Sequence, residues 1–280
     1  MEKTKVETHH FRNFFLLVLA ILLLFVVWAR FVSTGGLIIK EYSIIDEKIP
    51  YNFHGMKIIH FSDLHFGRTI DNAYVKKLVK TINDYKPELI IFTGDLFDKD
   101  ILLKDEEVLN VGNILSQLNP VIGSFAVKGN HDYEKDYFDK AMEVAGFNVL
   151  LNATEFIYYK DITPLKIIGL PSLIKEKYTY EETSEEEELY TILLAHEPDI
   201  IDEYSHLNIN LMLSGHSHGG QIRLPFIGAV ITPIGAKNYY DAYYKLKTTD
   251  LYISSGLGTS ELDFRFLNKP SINLYRMYTN

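Results

Sequence analysis

Five short segments carry side chains that can hold a metal ion, and each follows an apolar run. They are Asp63-Leu64-His65, Gly94-Asp95, Gly129-Asn130-His131-Asp132, His196-Glu197 and Gly215-His216-Ser217-His218. Any one of them is commonplace, since a lone buried histidine is more often a hydrogen-bonded core residue than a ligand. Five in series, each placing Asp, Asn or His just past a strand-like run, would be an odd way to cap strands by chance. The sharpest is Leu89-Ile90-Ile91-Phe92-Thr93-Gly94-Asp95, in which four apolar β-formers run into a Thr-Gly turn and then an acid. A carboxylate buried at a strand end requires a counter-charge, either a basic side chain or a metal ion. The converging turns offer no base apart from Lys128 at the edge of one; they offer histidines, Asn130 and Asp63, which favours metal. The chain has no Cys, so a metal site must use His, Asp, Glu or Asn, a donor set suited to Mn, Fe or Zn.

The elements that must position these residues are legible around them. Met56–Ser62 reads as a strand and leads into a helix with Asp71 as N-cap and Val75, Leu78, Val79 and Ile82 on one face. The Asp95 strand follows. A second helix is predicted over Asp105–Leu118, ended by Pro120. A strand over Ser124–Val127 precedes a third helix over Tyr133–Ala145, stopped by Gly146. This is β-α-β-α-β, and in such sheets ligands bind at the carboxyl ends of the strands, where the first three acid-bearing turns lie. The second half is strand-rich: Phe156–Tyr159, Leu165–Gly169, Tyr190–Ala195, Leu211–Ser214, Gln221–Leu224, Leu251–Ser254 and Ile272–Tyr275. Ile38–Ile49 reads as an edge strand leading in.

Residues 14–32 form an apolar run interrupted only at Arg30, close to the ~20 residues that span a bilayer. Trp28 lies where an interfacial aromatic belongs, and Lys3, Lys5 and Arg12 precede the run, which points to a cytoplasmic N-terminus and an outer-side domain. The expected organisation is a tail at 1–13, a transmembrane signal anchor at 14–32, a linker and lead-in strand at 33–50, and one domain at 51–280. A cleaved signal peptide, giving a secreted protein, is the alternative, although no clear Ala-x-Ala site follows. A buried core helix is disfavoured, because the run is apolar on every side. Over 280 residues, 28 basic and 37 acidic side chains give a net charge of −9, which argues against a dedicated nucleic-acid binder. No protein partner can be inferred. The acidic run Glu181–Glu188 reads as a solvated loop or the exposed start of a helix, with a cation- or partner-binding lip as its rival.

The five blocks, in this order, resemble the calcineurin-like metallophosphoesterases, whose pattern is Asp-x-His, Gly-Asp, Gly-Asn-His-Asp/Glu, His and Gly-His-x-His. The stretches Gly215–Pro225 and Ser255–Ser260 are similar to the membrane-anchored bacterial phosphodiesterase branch. The resemblance departs at Leu267-Asn268-Lys269-Pro270-Ser271, where an Arg near Asn268 and a Glu at Ser271 would be expected. It implies an α/β sandwich of two mixed β-sheets flanked by helices and preceded by the transmembrane helix. It also implies two divalent ions, Mn first and Fe or Zn as alternatives. Asp63, His65 and His218 would hold one, Asn130, His196 and His216 the other, and Asp95 would bridge them. His131 would stabilise the transition state or protonate the leaving oxygen, and a metal-bridging hydroxide would attack the phosphorus of a diester or pyrophosphate.

Other residues are weighed beside that set. Asp132 either orients His131 or caps a helix. Arg223 is a candidate phosphate contact, with a surface salt bridge as the plainer reading, and Arg265 ranks below it. His54, His60, His206 and Glu197 are left outside the site; His60 reads as a satisfied core histidine. The expected function is hydrolysis of a lipid-linked, nucleotide-linked or envelope phosphoester. A UDP-2,3-diacylglucosamine-type pyrophosphatase of the same fold is one alternative and a non-catalytic metal-stabilised binding domain another. Loss of His131 or of Asp95 would mark the binding domain, and both are present.

Overall fold

In a computed structural model of the chain, which describes residues 2–176, 188–204 and 207–280, the N-terminal run forms one long helix (α1, Glu2–Val27). It continues through a wider turn at Trp28–Val32. The segment His10–Val32 is long and apolar enough to cross a membrane. The acidic residues 181–187 and His206 lie outside the described residues.

The first half follows the expected alternation: β1 (Ile38–Ile45), β2 (Lys57–Phe61), α2 (Asn72–Asp84), β3 (Leu89–Phe92), α3 (Asp105–Leu115), β4 (Gly123–Ala126), α4 (Tyr137–Ala145) and β5 (Asn148–Val149). Asp71 caps α2 by accepting the Tyr74 N–H at 2.9 Å. Gly146 closes α4 in the left-handed conformation, at φ 75°. Helix α4 begins at Tyr137, four residues later than expected, because Asp132 and its neighbours are engaged elsewhere. The second half contributes β6 (Ala153–Ile157), β7 (Leu165–Gly169), β8 (Thr191–Leu194), β9 (Leu211–Ser214), a small hairpin of β10 (Arg223–Leu224) and β11 (Gly228–Ala229), β12 (Tyr243–Leu246), β13 (Thr249–Ile253) and β14 (Ser271–Tyr278). The strand read at Gln221–Leu224 is β10, whereas β5, β11 and β12 are too short or too polar to stand out in the sequence.

The strands form two six-stranded mixed sheets, ordered β1-β14-β2-β3-β4-β5 and β12-β13-β9-β8-β7-β6. Residues of the expected linker are part of the first sheet: β1 runs parallel to β14 from Ile38↔Ser271 to Ile45↔Tyr278. This is the stretch read as an edge strand leading in, and it lies at the sheet's edge. Alternation in the strands sends side chains to two sides. Ile58, Leu89, Ile91 and Phe125 meet Ile167, Ile192, Leu194 and Leu213 between the sheets. Ile59, Ile90 and Phe92 instead pack under Val75, Leu78, Val108 and Phe138 of the helices. The outer face of the second sheet packs against the turn Pro198–Asp202, Tyr204 and Leu207, so among the described residues α2, α3 and α4 flank one sheet only. The parallel strands β2, β3, β4, β8 and β9 direct their carboxyl ends to one rim, and the five ligand-bearing segments follow directly from them.

Candidate metal centre

The turns after the strands are forced into unusual backbone geometry. Asp63, His65, Asp95, His216 and His218 all have positive φ, between 44° and 64°. The left-handed region costs a non-glycine residue of order 1 kcal/mol. Such strain clusters where a fixed geometry is functional. Two glycines let the turns approach each other. A Cβ on Gly94 would strike the Gly129 backbone and lie 2.9 Å from His196 Nδ1, and one on Gly129 would strike Asp95 Oδ1.

The side chains of these turns lie close together. Three groups lie close enough to share an ion: Asp63, His65 and His218; His65, Asp95 and His131; and Asp95, His196 and His216. His65 Nε2 lies 3.2 Å from His218 Nε2. Asp63 Oδ1 is 3.4 Å from the same His218 nitrogen. Ligands each ~2.1 Å from one ion stand about 3–3.5 Å apart, so these spacings suit a shared cation. The Oδ2 of Asp95 is common to both sides, 3.5 Å from His65 Nε2 and 3.2 Å from His196 Nε2. Asn130 Oδ1 and His196 Nε2 are buried without a hydrogen-bond partner. Buried polar atoms without partners are costly unless something fills the space between them, and a divalent ion suits the Asn130 oxygen and the His196 nitrogen once the latter is unprotonated.

Groups behind the ligands fix their tautomers. His196 Nδ1 lies 2.6 Å from the Thr93 carbonyl and donates to it, which leaves Nε2 to ligate. His216 Nε2 lies 2.7 Å from the Ile234 carbonyl, which leaves its Nδ1 available as an acceptor. Asp63 is held by the His216 N–H at 3.0 Å and the Ser62 hydroxyl at 2.5 Å. The electrostatics match a site built for cations. Burial pushes Asp63 up to about 7, against the pull of His196. Burial would raise Asp95 too, but His196 and His131 outweigh it and hold that carboxyl well below the usual range. Burial keeps His65 neutral, at about 3, and lowers His216 and His218.

His131 lines the mouth of the same cleft, beside Asp95, Asn130, His216 and His218. Its backbone N–H donates to Asp95 Oδ1 at 2.8 Å. Its Nδ1 accepts the Lys99 N–H at 3.4 Å, which leaves the proton on Nε2, 4.0 Å from Asp95 Oδ2. Asp132 takes neither anticipated role. It accepts the N–H groups of Asp95, Leu96 and Gly129, at 2.8, 3.0 and 2.9 Å, and so clamps two ligand turns together.

Arg223 does not line the cleft; its guanidinium pairs with Asp241 at 2.7 Å and donates to the Gly219 carbonyl at 2.8 Å. This geometry matches the salt-bridge reading. Among the described residues, the Lys or Arg side chain lining the cleft is Lys99. Arg265 is fully buried behind His218, 3.4 Å from its Nδ1, and donates to the carbonyls of Gly258 and Asn268. It lies three positions from Asn268, near which an Arg was expected. Asn268 Nδ2 donates to the His218 carbonyl, and Ser271 pairs with Ser255. His60 is buried between Thr93 Oγ1 and the Tyr275 hydroxyl, as a core histidine. Glu197 secures a loop, accepting the Ser172 hydroxyl and the Leu173 N–H. Asp98, which sequence reasoning missed, stands 3.7 Å behind His65 Nδ1. Its signal was its position three residues past Asp95.

The sequence profile of the calcineurin-like phosphoesterases matches residues 56–220, and the chain belongs to that family. The uncharacterized metallophosphoesterase YkuE of Bacillus subtilis is 35% identical over 255 residues, 89% of this chain and 88% of that protein. The phosphodiesterase YaeI of Escherichia coli is 29% identical over 79% of this chain and 82% of its own length. The UDP-2,3-diacylglucosamine pyrophosphatase LpxG of Chlamydia muridarum is 24% identical over 89% of this chain and 92% of its own. The chain is thus a metal-dependent phosphoesterase by family, with donor groups for metal ions at the strand ends.

Proposed function

We propose that this protein is a membrane-tethered phosphodiesterase with a binuclear centre. Asp63, His65 and His218 would hold one ion, Asn130, His196 and His216 the second, and Asp95 would be shared between the two. The observation that carries this reading is the single oxygen, Asp95 Oδ2, within 3.5 Å of donor nitrogens on both sides. Asn130 as a neutral ligand keeps the second position electrophilic. When bound, two such ions would lend Lewis acidity to the phosphoryl group and acidity to an attacking water. Mn is the first candidate and Fe or Zn the alternatives, given an all-oxygen and imidazole donor set.

The protein's own groups supply the rest. His131 presents its Nε2–H toward the cleft, where it donates to a phosphoryl or leaving oxygen as negative charge grows there. Asp132 fixes both ligand turns, and Thr93 and Ile234 orient the ligating imidazoles. The helix His10–Val32 tethers the domain, with the basic residues before it holding the N-terminus in the cytoplasm and the cleft on the outer side. Pyrophosphate cleavage is the second reading, favoured by the similarity to LpxG along most of both chains.

The test is hydrolysis of bis(p-nitrophenyl) phosphate by the full chain in detergent micelles with added Mn, Fe, Zn, Ni or Co. Turnover with at least one, lost on chelation, is expected. Inactivity with all five, at full metal loading, contradicts the enzyme reading.

A further inference from the structure

Beside the metal cleft stands an apolar hairpin that none of the described residues packs over. Between Leu224 and Ile234, the side chains of Phe226, Ile227, Ile231 and Ile234 are each at least 70% exposed. Exposed aliphatic and aromatic groups so concentrated mark a contact surface. The hairpin is also one wall of the cleft, an opening of about 360 Å³ to which Ile222, Val230, Ile231 and Ile234 contribute. Among the described lining residues there is no Phe, Tyr or Trp to stack on a base. The wall is aliphatic, and the floor is the metal site.

The position of the hairpin says what covers it. Its base is bonded to the backbone of Phe266: the Arg223 N–H donates to the Phe266 carbonyl at 3.0 Å, and the Phe266 N–H to the Gln221 carbonyl at 3.1 Å. Phe266 in turn packs against the N-terminal helix, with ring centroids 4.9 Å from Phe25 and 6.0 Å from Trp28. The Arg265 N–H donates to the Ala29 carbonyl at 3.2 Å, and Arg30 lies 3.4 Å from Asp263. Phe25 is seven residues before Val32, or about 10 Å inside the end of the apolar segment at the helical rise. A loop that touches Phe25 is therefore at the level of lipid, and the hairpin is tied to that loop.

We propose that the Leu224–Ile234 hairpin seats in the lipid surface beside the anchor helix, so that the cleft opens toward phosphoesters carrying acyl chains. This deepens the phosphodiesterase reading and rests on it for the identity of the reacting group. The metals take the phosphoester at the floor while the aliphatic wall and the lipid take the chains.

The chain has no Cys, so Ile227→Cys gives a unique thiol for an environment-sensitive nitrobenzoxadiazole label. The full-length protein is placed in phosphatidylcholine–phosphatidylglycerol vesicles. We expect blue-shifted emission, quenched severalfold more by lipids with nitroxide on the acyl chain than by aqueous iodide. Tyr51→Cys, labelled at the opposite end of the strands, should be quenched by iodide alone. Equal iodide quenching at both sites overturns the proposal. So does concentration-dependent self-quenching at residue 227 without nitroxide quenching, which would assign the surface to a second copy. In a parallel arm, kcat/KM for phosphodiesters kept below their micellar concentrations should rise at least tenfold as the acyl chain lengthens from two to eight carbons. A flat or absent response overturns the acyl assignment. Turnover of bis(p-nitrophenyl) phosphate in the same sample separates that failure from failure of the hydrolytic reading.

Discussion

The carboxylate of Asp132 holds the backbone of Asp95, accepting its N–H at 2.8 Å. The same carboxylate takes the N–H groups of Leu96 and Gly129, so it is the brace between the second and third ligand turns. Asp132→Ala would leave three buried donors unpartnered. A stability loss of about 3 kcal/mol or more is expected, read by thermal unfolding in micelles, together with reduced metal content.

His131 can be separated from the metal ligands. Its Nε2 faces the cleft, while the bond that ties it to Asp95 comes from its backbone. His131→Ala should therefore keep two ions by elemental analysis yet lose ~10²–10⁴-fold in kcat. Loss of metal in step with activity would place His131 among the ligands instead.

Gly129 has no room for a methyl group, because its Cβ would strike Asp95 Oδ1. Gly129→Ala should cut metal content well below that of the wild type. Gly146→Ala meets open space at φ 75° and should cost roughly 1 kcal/mol of stability with metal content unchanged.

His60 gives the fold a pH dependence separate from the centre. Burial lowers its pKa from 6.5 to about 3 in the folded protein. The unfolded chain takes up a proton near pH 6.5 that the folded chain refuses until about 3, so stability falls as pH drops through that window. His60→Gln should make the decline between pH 6 and 4 shallower by up to ~1.4 kcal/mol per pH unit, measured by unfolding of metal-free protein.

The sequence made the ligand turns legible because each sits at the end of an apolar strand, where alternation and turn chemistry are strong local signals. Asp63, His65, Asp95, Asn130, His131, His196, His216 and His218 all converge on one rim of the fold. The supporting layer was less visible. Asp132 and Arg265 act through contacts across distant segments, which no spacing rule encodes, and Asp98 offered only its place three residues past Asp95. Helix α4 starts late because tertiary bonds to Asp132 outweigh local helix preference. Only the first arm of the β10–β11 hairpin read as a strand, β11 being two residues long, and the hairpin's apolar exposure becomes meaningful only beside Phe266 and the anchor.

The most direct test of the central claim is the stoichiometry and magnetic coupling of Mn in the full-length protein. Elemental analysis with electron paramagnetic resonance should give two Mn per chain with a spin-coupled signal. Asp95→Asn should abolish the coupling together with turnover. One Mn per chain at saturation, or two uncoupled ions indifferent to Asp95→Asn, would contradict a centre bridged by Asp95.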